Sequence, residues 1–245
     1  MPIRLTDITA TITALGALGT ASFGLVDATK AFWGGVSRCG IRNIRSAIKP
    51  LFGQNPSAAD QSNALTYGSI LANLSANWMN GTDLADQKAI AKTLLKLRLN
   101  PTNAATYAAA TGVDTIELTT IATQVNNGLA LTIAQADVFG RFDLALTALL
   151  DQGYQRADQR YRNSAKLLAG IFSVVIAVFA GWLLWNNTTP SGLFLGQPKP
   201  LVYWFTANMW AAALGGALAT PLAPIAKDLT SALAAGVDVI QKMRK

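Results

Sequence analysis

The chain has 245 residues, 51% of them hydrophobic, and carries 20 Lys and Arg against 13 Asp and Glu, a formal charge of +7, with no histidine at all. The missing histidine removes the commonest general base, the base of a nucleophilic triad and the commonest zinc ligand, while the single Cys39 excludes an intrachain disulfide and a cysteine metal cage. A mean hydropathy of +0.30 is too apolar for an ordinary soluble domain, yet the chain is not apolar throughout, as expected of a few membrane helices joined to an aqueous domain.

The positive excess has a location. Fourteen of the twenty basic residues lie between Lys30 and Lys166, four follow Ala226, and only Arg4 and Lys199 stand elsewhere. That distribution fits the positive-inside rule of membrane topology better than a nucleic-acid surface.

Residues 1–30 contain the first uncharged run, Ile8 to Val26. A cleaved signal would need a basic n-region and a compact apolar core, but Arg4 is nearly cancelled by Asp7 and the run is long. We expect a first transmembrane helix with its N-terminus outside. Gly16, Gly19 and Gly24 suit close packing on a neighbouring helix. At its inner end Asp27 and Lys30 are one turn apart, the spacing of an intramembrane ion pair.

Residues 31–54 hold a basic amphipathic stretch. From Arg38 to Phe52, Ile41, Ile44, Ile48 and Leu51 fall on one helical side while Arg38, Arg42, Arg45 and Lys49 recur at spacings of four, three and four. Directly after a span, this pattern predicts a helix lying along the cytoplasmic interface, with isoleucines in the acyl boundary and arginines on anionic headgroups. Pro50 and the stretch from Gly53 to Pro56 end it.

Residues 55–166 show helical periodicity and no strand run, predicting a cytoplasmic helical domain. Leu65, Ile70, Leu71, Leu74 and Trp78 trace one helix, closed by Asn80 and Gly81. Thr82 or Asp83 caps the next, which carries Ile90, Leu94, Leu95 and Leu97 and a row at Lys88, Lys92 and Lys96 read as a solvated face; Asn100 with Pro101 stops it. No aromatic residues interleave with those lysines, so no nucleic-acid partner is expected. An alanine-rich helix from Asn103 to Ala110 follows, then another around Ile116, Leu118, Ile121 and Val125. From Leu129 no proline occurs before Pro190, which allows one long helix with Gly140 and Gly153 as plausible bends. Its part from Phe142 to Lys166 would form a stalk of about 40 Å, whose apolar side needs partners from the same chain or from further copies.

Residues 167–225 read as a transmembrane hairpin. Leu167 to Trp185 is an uncharged, proline-free run long enough to cross a bilayer core, and Arg156, Arg160, Arg162 and Lys166 before it put its start in the cytoplasm. After a short loop, Leu201 to Leu222 makes a third span, in which Gly215 and Gly216 permit close helix contact. Trp182, Trp185, Tyr203 and Trp204 cluster at the loop, where amphipathic aromatics favour the headgroup region. Residues 226–245 form an amphipathic tail ending in Lys242, Arg244 and Lys245.

The order of these parts resembles a family of uncharacterised bacterial integral membrane proteins. The matching pieces are Asp27, the stretch Gly40 to Ile48, Arg160-Tyr161-Arg162, and Ala223-Pro224 followed by Asp228-Leu229; Ile225 and Ala226 stand where the family carries large aromatics. The resemblance implies a bacterial inner-membrane location and this topology, and no activity.

No phosphate loop, dinucleotide fingerprint or zinc spacing is present. Asp83 with Asp86 and Asp114 with Glu117 sit at predicted helix starts, where capping accounts for them. The sequence thus predicts an all-α protein with three transmembrane helices and a cytoplasmic helical domain between the first and second. It reads as a non-enzymatic scaffold or assembly subunit, without cofactor or metal, bound to anionic lipid and to copies of itself or a larger complex. An oligomeric channel, transporter component or membrane-permeabilising effector is the alternative.

Overall fold

A computed structural model describes residues 5–53, 65–188, 193–194, 197–198 and 202–223, with side chains undescribed at 5–9, 33, 187–188, 193–194 and 197–198. The tail 226–245, the linker at 54–64 and Pro224 with Asp228 therefore lie outside the described residues. The protein is all-helical, apart from a two-residue antiparallel pairing of Leu193–Phe194 with Gln197–Pro198. Its helices are α1 Leu5–Trp33, α2 Ser37–Ile48 with a 3₁₀ turn at Lys49–Phe52, α3 Tyr67–Met79, α4 Leu84–Arg98, α5 Ala104–Thr111, α6 Thr115–Asn126, α7 Ile133–Thr188 and α8 at 207–223. Two compact units divide the chain, one of residues 36–162 and one of residues 1–35 and 163–245.

In the unit of residues 36–162, local chemistry sets most helix ends. Thr66, Asp83 and Asp114 cap α3, α4 and α6 with side-chain oxygens, and both acid pairs are thereby accounted for at helix starts. Gly81, Gly112 and Gly128, at φ 73°, 73° and 68°, turn the chain where a side chain would be strained. One core gathers Ile44, Ile48, Leu51, Ile70, Leu74, Leu95, Tyr107, Leu118, Phe142, Leu146 and Tyr154, all buried. Tyr107 donates its hydroxyl to the Leu95 carbonyl at 3.1 Å, which satisfies its one polar atom inside that core.

Two expectations change here. The isoleucines of α2 do not face an acyl boundary: Ile44 and Ile48 are completely buried in this core. An amphipathic pattern specifies an apolar acceptor surface, and the acceptor is α3 and α7 rather than lipid. Nor is the lysine row simply solvated. Lys88 pairs with Asp151 at 2.7 Å, and Lys92 and Lys96 both grip Asp143, the latter at 3.0 Å. Long lysine stems let the ammonium groups reach across to α7 while staying partly hydrated.

The unit of residues 1–35 and 163–245 contains α1, the second half of α7, and α8. Small residues let these helices meet. A Cβ on Gly19 would stand 2.3 Å from the Ala219 carbonyl oxygen, and one on Gly216 would stand 2.6 Å from Val174 Cα. Two helices, α1 and α7, are long and apolar enough to cross a membrane. The expected third span does not reach that length among the described residues. Tyr203–Phe205 form a 3₁₀ turn and Thr206 is extended, so α8 starts at 207 rather than near Leu201, and its described part, to 223, is ~26 Å long.

Candidate functional site

The sequence singled out two groups of residues, one at the apolar helices and one on the basic helix. In the unit of α1, upper α7 and α8, the apolar side chains are largely uncovered. Only 22% of the apolar window of α1 and 11% of that of α7 is buried within the protein. Leu167, Ile171, Val175, Phe179 and Leu183, spaced by four along α7, are all exposed, as are Trp210, Leu214 and Leu218 along α8. A core helix of a soluble protein would bury such a stripe against its own chain.

The hairpin aromatics do meet. Trp185 and Tyr203 have ring centroids 6.2 Å apart, Tyr203 and Trp204 5.8 Å, and Trp182 packs on Phe179 at 5.6 Å. Tyr203 is completely buried rather than presented at a surface. Its hydroxyl donates to the Val178 carbonyl at 3.1 Å and lies against Gly181, which has no side chain to block it. At the far end of α1, Lys30 and Asp27 are 2.8 Å apart.

In the unit of residues 36–162, α2 buries its apolar side, so Arg38, Arg42, Arg45 and Lys49 are left exposed together. The register of α2 against α7 is fixed by three close approaches. Gly40 faces Ala157, Asn43 donates Nδ2–H to the Arg156 carbonyl at 2.9 Å, and Ala47 touches Gly153. The two helices therefore run antiparallel, and Arg38 and Arg160 fall at the same end of the pair. Arg160 is exposed, and Arg162, also exposed, pairs with Asp158 at 2.8 Å. Lys166, in the other unit, is exposed as well. No ion pair of 4 Å or less involves Arg38, Arg42, Arg45, Lys49 or Arg160 among the described residues, where Lys30, Lys88, Lys92, Lys96, Arg141 and Arg162 carry the pairs.

Sequence reasoning missed Arg98. It is buried, its guanidinium lies 4.3 Å from the Phe52 ring centroid, and its Nε–H donates to the Leu65 carbonyl at 3.2 Å. Its position at the last turn of α4 signalled only a helix end, and nothing local announces a distant aromatic face. Among the described residues no group of three His, Cys, Asp or Glu could hold a metal ion. A hollow of about 200 Å³ between α2 and α7, lined by Asn43, Ser46, Leu149, Gln152 and Arg156 among others, carries one cation and no acid.

No protein-family model, curated protein or solved structure matches the chain.

Proposed function

We propose that the chain is a non-enzymatic integral membrane protein of a bacterial inner membrane, a scaffold or assembly subunit held by its apolar helices. In this reading the helical unit of residues 36–162 lies in the cytoplasm. The observation that carries it is the uncovered apolar surface of α7: eleven per cent burial of its apolar window leaves a surface that water would penalise heavily and that lipid, or further membrane helices, would cover. The unpaired basic residues support the orientation. Arg38, Arg42, Arg45 and Lys49 form an exposed row suited to anionic headgroups at roughly 1 kcal/mol each, although their helix packs on protein and reaches lipid only with its charged side. α8 is the returning limb of a hairpin with α7 and, with α1, the third span of this reading, and the family resemblance described above supports the same topology.

Assembly follows from the same surface. The stripes on α7 and α8 contain bulky residues at helical spacing, which helices of a further copy or partner would cover as well as lipid would. Blue-native electrophoresis in mild detergent, with crosslinking, tests this. The expected result is a species larger than one chain or a crosslinked partner; a lone monomer with no partner contradicts it.

A further inference from the structure

Between α7 and α8 runs a groove of about 470 Å³, lined by Lys166, Gly170, Val174, Ala217 and Thr220 among others. Its shape is set by two glycines. At Gly216 the helices touch, an added Cβ standing 2.6 Å from Val174 Cα; at Gly170 an added Cβ would meet only Thr220 Oγ1, at 3.9 Å. The groove is thus shut at the first level and open at the second, toward Lys166.

Lys166 is the one charged residue lining the groove among the described residues, and no acid lines it. From Lys166 to Val175 along α7 the groove covers ~13.5 Å, close to the ~15 Å depth of hydrocarbon in one leaflet. A cation at one end of an apolar channel one leaflet long matches a phosphate followed by an acyl chain. We propose that this groove binds one anionic phospholipid, its phosphate on Lys166 Nζ and an acyl chain beside Gly170 and Val174. The proposal rests on the membrane reading and deepens it by naming a lipid class and a site. Lysine serves phosphate as a point charge, and a zwitterionic headgroup would bring its own cation to the same place, so the site discriminates by net headgroup charge.

The test is native mass spectrometry of the full chain, purified from membranes in mild detergent and offered equimolar phosphatidylglycerol and phosphatidylcholine. Wild type should retain one phosphatidylglycerol in preference to phosphatidylcholine. Lys166→Gln, an exposed position that should not disturb folding, should cut that preference roughly fivefold. Gly170→Phe, which fills the groove, should abolish retention of either lipid. Equal retention of the two lipids, an unchanged preference in Lys166→Gln, or a groove occupied by a second copy or by the chain's own tail with no lipid retained would overturn the proposal. Recovery of the chain in the soluble fraction would overturn the membrane reading with it, whereas a membrane-bound chain without lipid preference overturns the lipid site alone.

Discussion

Trp78 closes directly over Gly40: its indole Nε1–H donates to the Ser37 carbonyl at 2.8 Å, and a Cβ on Gly40 would stand 2.4 Å from Cζ2 of the same ring. Trp78 also packs on Tyr154 and Tyr161 of α7, at 6.5 and 6.2 Å between centroids. The basic helix is therefore clamped into the helical unit by an aromatic cluster, which is why its isoleucines are unavailable to lipid.

Gly40→Val should loosen that clamp. The ring is rigid and the Ala157 carbonyl oxygen would stand 3.0 Å from the same Cβ, so neither neighbour gives easily, and overpacking of this kind costs about 1–3 kcal/mol. Urea unfolding followed by tryptophan fluorescence should show an earlier midpoint. An unchanged midpoint would mean that α2 is not held as described.

Two glycines of the apolar helices should behave oppositely. Gly216→Val forces a side chain into the backbone of Val174 and should lower thermal stability in detergent. Gly24 has nothing within 4 Å of an added Cβ, and Gly24→Ala should leave stability unchanged or raise it by up to ~1 kcal/mol through helix propensity. Equal effects at both positions would argue against the α7–α8 contact.

Asp143 makes the stability of the helical unit pH-dependent. Burial alone would raise its carboxyl, but hydrogen bonds and charge from Lys92 and Lys96 outweigh that and hold it below the ordinary carboxylate value. A depressed folded-state pKa gives stability that is full above the unfolded carboxylate value near ~4 and is lost as pH falls through the folded value. The group is partly hydrated, so the contribution is about 1 kcal/mol or less and weakens with salt. Asp143→Asn should destabilise near neutrality by that small amount and flatten the acid limb of the stability curve. A variant with an unaltered acid limb would show the ladder to be inert.

Much of this fold was legible in the sequence because its punctuation is strong. Asn80-Gly81, Asp83, Asn100-Pro101 and Asp114 each act through local geometry, and the observed ends of α3, α4 and α6 fall beside them. The proline-free stretch after Leu129 became one 56-residue helix, with Gly153 serving a close contact with Ala47 and Gly140 touching nothing. What was not legible is pairing at a distance. The period of α2 gave an apolar side without saying whether protein or lipid covers it, and the row Lys88, Lys92, Lys96 gave no sign that Asp143 and Asp151 lie opposite. The start of the last apolar helix was not legible either: hydropathy runs through Tyr203, where the backbone makes a 3₁₀ turn and the ring turns inward to Val178.

The proposed topology, an apolar hairpin crossing the membrane with the helical unit on the cytoplasmic side, is read out by cysteine labelling in intact cells. Cys39 is exposed and is the only native cysteine, so a Cys39→Ser chain carrying Ser191→Cys reports position 191 alone. A membrane-impermeant thiol reagent should label Ser191→Cys in intact cells and Cys39 only after permeabilisation. Labelling of Cys39 from outside, with Ser191→Cys protected, would invert the proposed topology and put the helical unit outside the cell.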